Sequence, residues 1–133
     1  MRRLFSICSF TFFLSCLTSG SADTLNANGM AIFRVFHAPW CGHCKALMPA
    51  WDEVSAQIGD DDTLTHVLMD KVDCTEQKDV CGQNPQVQGF PTILYGDLES
   101  MKPYTGGRTV VDLTNFVRGL KPTCNIVTEE FCS

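Results

Sequence analysis

After residue 22 the sequence contains no apolar run of the roughly 20 residues that a membrane-spanning helix needs. It has no internal repeat and no low-complexity tract, which excludes solenoid, fibrous and disordered classes. It is short of positive charge as well, with 10 Lys and Arg against 15 Asp and Glu in 133 residues. Arg2 and Arg3 both precede residue 22 and no acid does, so the remainder carries 8 − 15 = −7. A surface that acidic argues against nucleic acid and anionic membranes as partners and serves mainly solubility.

What is present begins with a leader. Arg2 and Arg3 are followed by the mostly apolar stretch Leu4 to Leu17 and by the small residues Gly20, Ser21 and Ala22. That is the pattern of a secretory signal peptide cleaved near Ala22, and it is too short for a membrane anchor. The expected organisation is a signal peptide over 1–22, one small domain over 23–122 and a tail over 123–133. Of the eight cysteines, Cys8 and Cys16 fall in the leader. Cys41, Cys44, Cys74, Cys81, Cys124 and Cys132 remain, an even set in three local pairs, which suits a secreted disulfide-containing chain.

Alternation and periodicity predict an α/β arrangement. "AIFRVFH", residues 31 to 37, reads as a buried strand interrupted by Arg34. From Cys41 a helix is expected, with Leu47, Trp51, Val54 and Ile58 on one face, a kink at Pro49 and an end at Gly59. A second strand over 63–73 would be parallel to the first. A short helix near 76–81, a hairpin over 92–107 turning at Gly96-Asp97 and a helix capped by Thr109 complete the pattern. The last helix would show Val110, Leu113, Phe116, Val117 and Leu120 on its apolar face. His37 and His66 read as strand residues rather than ligands.

The chemistry concentrates in "WCGHC", residues 40 to 44. A cysteine at the start of a helix sits beside backbone N–H groups that have no intrahelical partner, and these groups and the helix dipole stabilise a thiolate. Cys41 is thereby a candidate nucleophile, Cys44 can close a disulfide with it, and His43 can add positive charge. Zinc is the poorer reading, because the next cysteines, Cys74 and Cys81, do not form a short-spaced ligand pair. A structural staple is also poorer, since a two-residue loop closes little chain. A redox pair is the reading the residues favour.

With "FHAPWCGHCKALMPAW", "KVDCTEQKDVC", "VQGFPTILYGD" and "YTGGR" in this order, the chain resembles a catalytic thioredoxin-fold domain of the protein disulfide isomerase family over about residues 31 to 120. The resemblance implies a central mixed sheet flanked by helices. It makes Cys41 the attacking and Cys44 the resolving thiol. It also makes Pro91 a cis-proline beside them, with Trp40 and Phe90 at the substrate rim, and Arg108 an arginine that tunes the resolving cysteine. Otherwise Pro91 would be a trans proline opening a strand, and Arg108 a solvated charge before a helix. The spacing of Cys74 and Cys81 also occurs in the family and implies a structural bridge, the alternative being two buried free thiols. Cys124 and Cys132 are further disulfide candidates.

The sequence departs from the family in three places. Val35 stands where the family has a buried acid that assists proton transfer at the resolving thiol, and Arg34 should face the other side of the sheet. Residues 23–30 are too few for the family's first strand and helix, so the second strand is expected at a sheet edge, which implies a weak homodimer, another partner that covers the edge, or an incomplete chain. The chain ends without a KDEL-like signal. The resulting expectation is a thiol–disulfide oxidoreductase, oxidase or isomerase in direction, in the endoplasmic reticulum lumen or secreted. It would act on unfolded or partly folded cysteine-containing proteins, with a redox partner for recycling and no metal or cofactor. The alternatives are a thioredoxin-like reductase and a chaperone or adaptor module with little redox turnover.

Overall fold

The computed structural model describes residues 29–98 and 100–122. The expected leader, the residues up to 28 and the tail with Cys124 and Cys132 lie outside the described residues. The elements run β1 (Ala31–His37), α1 (Gly42–Gly59), β2 (Val67–Asp73), α2 (Lys78–Gly82), β3 (Thr92–Gly96), β4 (Met101–Pro103) and α3 (Val110–Arg118). Among the described residues one four-stranded sheet forms, in the order β2-β1-β3-β4. β1 is parallel to β2 and antiparallel to β3, and β3 is antiparallel to β4. This is the mixed sheet that the resemblance implies, with four strands and β2 at its end.

Side-chain alternation along β1 divides the protein into two layers. Phe33 and Val35 turn toward α1 and α3 and join Leu47, Trp51, Val54, Ile58, Leu113 and Val117 in the main core. Phe33 and Trp51 stack with ring centroids 4.8 Å apart. Full burial of side chains of this size contributes about 2–3 kcal/mol each. Phe36 turns the other way and packs with Val72, Leu94 and Cys81 beneath α2. The predicted stripe of α1 is therefore the buried face of that helix, which continues through Pro49 from Gly42 to Gly59.

Two boundaries differ from expectation for local reasons. β2 starts at Val67, because the Asp61 carboxylate accepts the Thr63 N–H at 3.0 Å and draws residues 62–64 into a 3-10 turn. His66 is consequently outside the strand, with its Nε2 2.9 Å from the Leu120 carbonyl oxygen. Leu120 lies past α3, whose last turn closes at Gly119. In the hairpin, Gly96 has φ +130°, and an added Cβ would stand 2.7 Å from the Ser100 carbonyl oxygen, so the turn requires glycine there.

Candidate active site

The C-terminal end of β1 delivers the chain into Ala38-Pro39-Trp40 and then directly into α1. Ala38 is buried, and its carbonyl accepts the Cys41 N–H at 3.1 Å, closing the turn that aims Cys41 at the helix start. Cys41 is the N-cap of α1, and its Sγ accepts the Cys44 N–H at 3.3 Å. The sulfur thus occupies the position that a serine or aspartate oxygen fills in an ordinary cap. The Cys41 Sγ–H also donates to the Phe90 carbonyl, 3.5 Å away. Both cysteines are free thiols, and with Ala38 they form a small buried cluster against Phe90.

The two sulfurs are electrostatically unequal. The Cys41 thiol lies below the ordinary thiol range, first because the Cys44 side chain donates a hydrogen bond to it. The backbone N–H groups of Cys44 and His43 and the charge of Arg108 add to this, while burial opposes it. The Cys44 thiol is pushed up, first by burial, then by its hydrogen bond and charge interaction with Cys41. Backbone hydrogen bonding at Ala38 and the Arg108 charge pull in the other direction. The more accessible thiol is therefore the one held closer to its thiolate.

The remaining candidates surround the pair. The Phe90–Pro91 peptide bond is cis, and Pro91 is buried. Trp40 is 70% exposed and stands edge-on to Phe90, with ring centroids 6.0 Å apart. His43 is exposed, and its backbone N–H is among the groups that favour the Cys41 thiolate. Arg108 is exposed just before the Thr109 cap of α3 and favours both thiolates by its charge. Val35 is fully buried in the main core. Among the described residues no charged side chain is fully buried, so none substitutes for the family's acid there. Arg34 lies on the opposite sheet face, with Nε and a terminal nitrogen each 2.7 Å from Asp70 Oδ2.

Cys74 and Cys81 form a disulfide with Cα atoms 5.7 Å apart. A continuous helix would hold them about 10.5 Å apart along its axis. Instead the chain folds back after β2, where the Asp73 carboxylate accepts from the Thr75 N–H at 2.8 Å. Surface cavities lie elsewhere among the described residues. One, about 230 Å³, adjoins β2 and the end of α1. Another, about 490 Å³, opens between Arg34, Val80 and Leu98. Among the described residues no three His, Cys, Asp or Glu side chains gather as a metal site. Sequence reasoning missed Ala38 and the Phe90 carbonyl as partners of Cys41, because both act through backbone atoms that any residue supplies.

A family model described as Thioredoxin matches residues 22–119. A protein disulfide-isomerase of Arthroderma benhamiae is 38% identical over 101 residues, which are 74% of this chain and 18% of that protein. A protein disulfide-isomerase of Humicola insolens is 34% identical over 110 residues, 81% of this chain and 21% of that protein. The solved structure of the first two thioredoxin domains of Saccharomyces cerevisiae Eps1p aligns with a TM-score of 0.63 at 28% identity, covering 72% of this chain and 36% of that one. The chain spans about a fifth of the length of these two curated relatives. A thiol pair at the start of α1, directly after strand β1, and a match over most of the chain lead to one assignment: the chain belongs to the thioredoxin family.

Proposed function

We propose that this domain is a thiol–disulfide oxidoreductase that forms and rearranges disulfides in partly folded proteins of the secretory pathway. The observation that carries the reading is the inequality of the two thiols at the N-terminus of α1. In the oxidised pair, a substrate thiolate attacks Cys41 Sγ, the Cys41–Cys44 bond breaks, and Cys44 leaves as a thiolate that takes up a proton. A second substrate thiolate attacks the substrate sulfur of the mixed disulfide, and Cys41 leaves as the stabilised thiolate. The substrate gains a disulfide and two electrons pass to the pair. A redox partner or glutathione disulfide removes them. In isomerisation reduced Cys41 attacks a misplaced substrate disulfide, and Cys44 frees the enzyme if the substrate stalls.

Stabilising the departing Cys41 thiolate favours the reduced pair, so its disulfide is a good oxidant. Trp40, Phe90 and Pro91 supply an apolar rim for partly folded chains, and Arg108 stabilises Cys44 as it becomes the attacking thiolate. With Val35 in place of the family's acid, release by Cys44 is slow. The disulfide between Cys74 and Cys81 supports an oxidising compartment, the endoplasmic reticulum lumen or the exterior. The test is refolding of a reduced, denatured disulfide protein in glutathione buffer, together with the reduction potential of the Cys41–Cys44 pair. Accelerated refolding and a potential near that of protein disulfide isomerase, about −180 mV, support the reading. A potential near thioredoxin's, about −270 mV, would instead favour a reductase. Absence of refolding activity, with substrate binding kept in Cys41→Ser, would favour an adaptor module.

A further inference from the structure

Arg108 lies between β4 and α3, and its charge favours the thiolates of both Cys41 and Cys44. We propose that Tyr104 is a positioning residue for the exchange reaction: its hydroxyl, with the Asp112 carboxylate on the other side, holds the Gly106-Gly107 turn so that the Arg108 charge bears on the Cys41–Cys44 pair. The inference rests on the role given to Arg108 above.

Tyr104 is itself held on several sides. Its N–H donates to the Ile93 carbonyl at 2.9 Å, which ties its backbone to β3. Its ring stands edge-on to Phe33 with centroids 5.3 Å apart, and tilted against Phe116 at 4.6 Å. From this anchored ring the hydroxyl donates to the Gly107 carbonyl at 2.6 Å. The loop passes directly over the phenol, since a Cβ on Gly106 would stand 2.5 Å from the Tyr104 oxygen. Gly107 is closed in from the other side, where an added Cβ would run into the Asp112 carboxylate.

That carboxylate belongs to the capping box of α3. The Thr109 hydroxyl donates to Asp112 Oδ2 at 2.6 Å, and the Asp112 N–H donates to Thr109 Oγ1 at 3.2 Å. The residues on either side of Arg108 are thus each tied to a fixed partner, Gly107 to Tyr104 and Thr109 to Asp112. An arginine on a free loop would spread its charge over many positions, whereas a fixed backbone confines it to those its own side chain reaches. The tyrosine is kept protonated, its acidity lowered by burial and by Asp112, the charged group that faces it. It therefore remains a donor across the range in which thiols exchange.

The experiment measures the pH midpoint for alkylation of Cys41 in the reduced full chain, with the site assigned by mass spectrometry. Four proteins are compared: wild type, Arg108→Gln, Tyr104→Phe and the double variant. Arg108→Gln is expected to raise the midpoint by a few tenths of a pH unit, since a cation that favours the thiolate is lost. Tyr104→Phe should move it in the same direction by a smaller amount and add nothing in the Arg108→Gln background. Gly106→Ala, whose methyl would push the Tyr104 hydroxyl off the Gly107 carbonyl, should also raise it and carries the test if Tyr104→Phe does not fold, an unmoved midpoint overturning the inference. A midpoint unmoved by Tyr104→Phe, with Arg108→Gln active, overturns the inference and leaves the role of Arg108 standing. A silent Arg108→Gln overturns both. An equal Tyr104→Phe shift in both backgrounds shows that Tyr104 acts other than through Arg108 and overturns the inference alone.

Discussion

The two described cysteine pairs in this domain have opposite fates, and the backbone around each accounts for the difference. Cys41 and Cys44 begin a helix, where Cys41 Sγ receives an amide hydrogen bond and its thiolate is favoured by the Arg108 charge. Cys74 and Cys81 straddle a turn, with Cys81 in an apolar cluster of Phe36, Val72 and Leu94. At the first pair the surroundings favour a thiolate, and so favour opening of any disulfide formed there. At the second the two sulfurs are bonded to each other, with Cys81 packed in the apolar cluster, and the disulfide serves as a staple. Reactivity is thus set by what the sulfur caps rather than by the spacing of the cysteines.

The contrast can be broken most severely at the nucleophile. Cys41→Ser should bring catalysed refolding down to the uncatalysed rate of the buffer. Cys44→Ser should still capture substrate, accumulating mixed disulfide on Cys41 that is visible on a non-reducing gel. The next largest effect is expected at Val35. Val35→Glu places a carboxyl in the apolar core and should cost about 3 kcal/mol in urea denaturation. It should also speed release of the mixed disulfide by Cys44, because a proton carrier then stands where the family has one. Unchanged turnover in a folded Val35→Glu protein would remove the relay from the account.

At the staple the double variant Cys74→Ser, Cys81→Ser should lose about 2 kcal/mol, the loop-closure value for so short a ring. The alkylation rate of Cys41 should stay the same. A changed rate would show that the two pairs are coupled and that the comparison is too sharp. Acidity gives a finer test on the reduced protein. Cys41 has a lowered folded pKa, so its contribution to stability is present above the ordinary thiol value and is lost as pH falls through the folded value. Cys44 has a raised folded pKa, so its contribution is present below the ordinary value and is lost as pH rises through the folded one. Urea midpoints of the reduced wild type and of each single serine variant, followed against pH, should separate the two opposing trends.

Much of this fold could be read from the sequence because the relevant signals are local. The spacing of Leu47, Trp51, Val54 and Ile58 sets the buried face of α1, and the Thr109 cap lies one turn from its Asp112 partner. What could not be read depends on residues far apart in the chain or on small side-chain contests. Nothing near His66 indicates that its ring meets the carbonyl of Leu120, 54 residues later. The pairing of Arg34 with Asp70 needed the parallel register of β1 and β2. The late start of β2 was decided by one carboxylate, Asp61, which competes with the strand for residues 62–64. At the site, Cys41, Cys44 and Pro91 were legible as a motif. Tyr104 stood in the motif YTGGR, but its tie to Gly107 was not legible, because only the folded loop brings its hydroxyl to that carbonyl.

The most direct test of the account is the pH dependence of alkylation at each thiol of the reduced protein, resolved by mass spectrometry. Cys41 should react with a midpoint below the ordinary thiol value of about 8.5, and Cys44 should react more slowly with a midpoint above it. Two thiols that alkylate alike, both near the ordinary value, would contradict it.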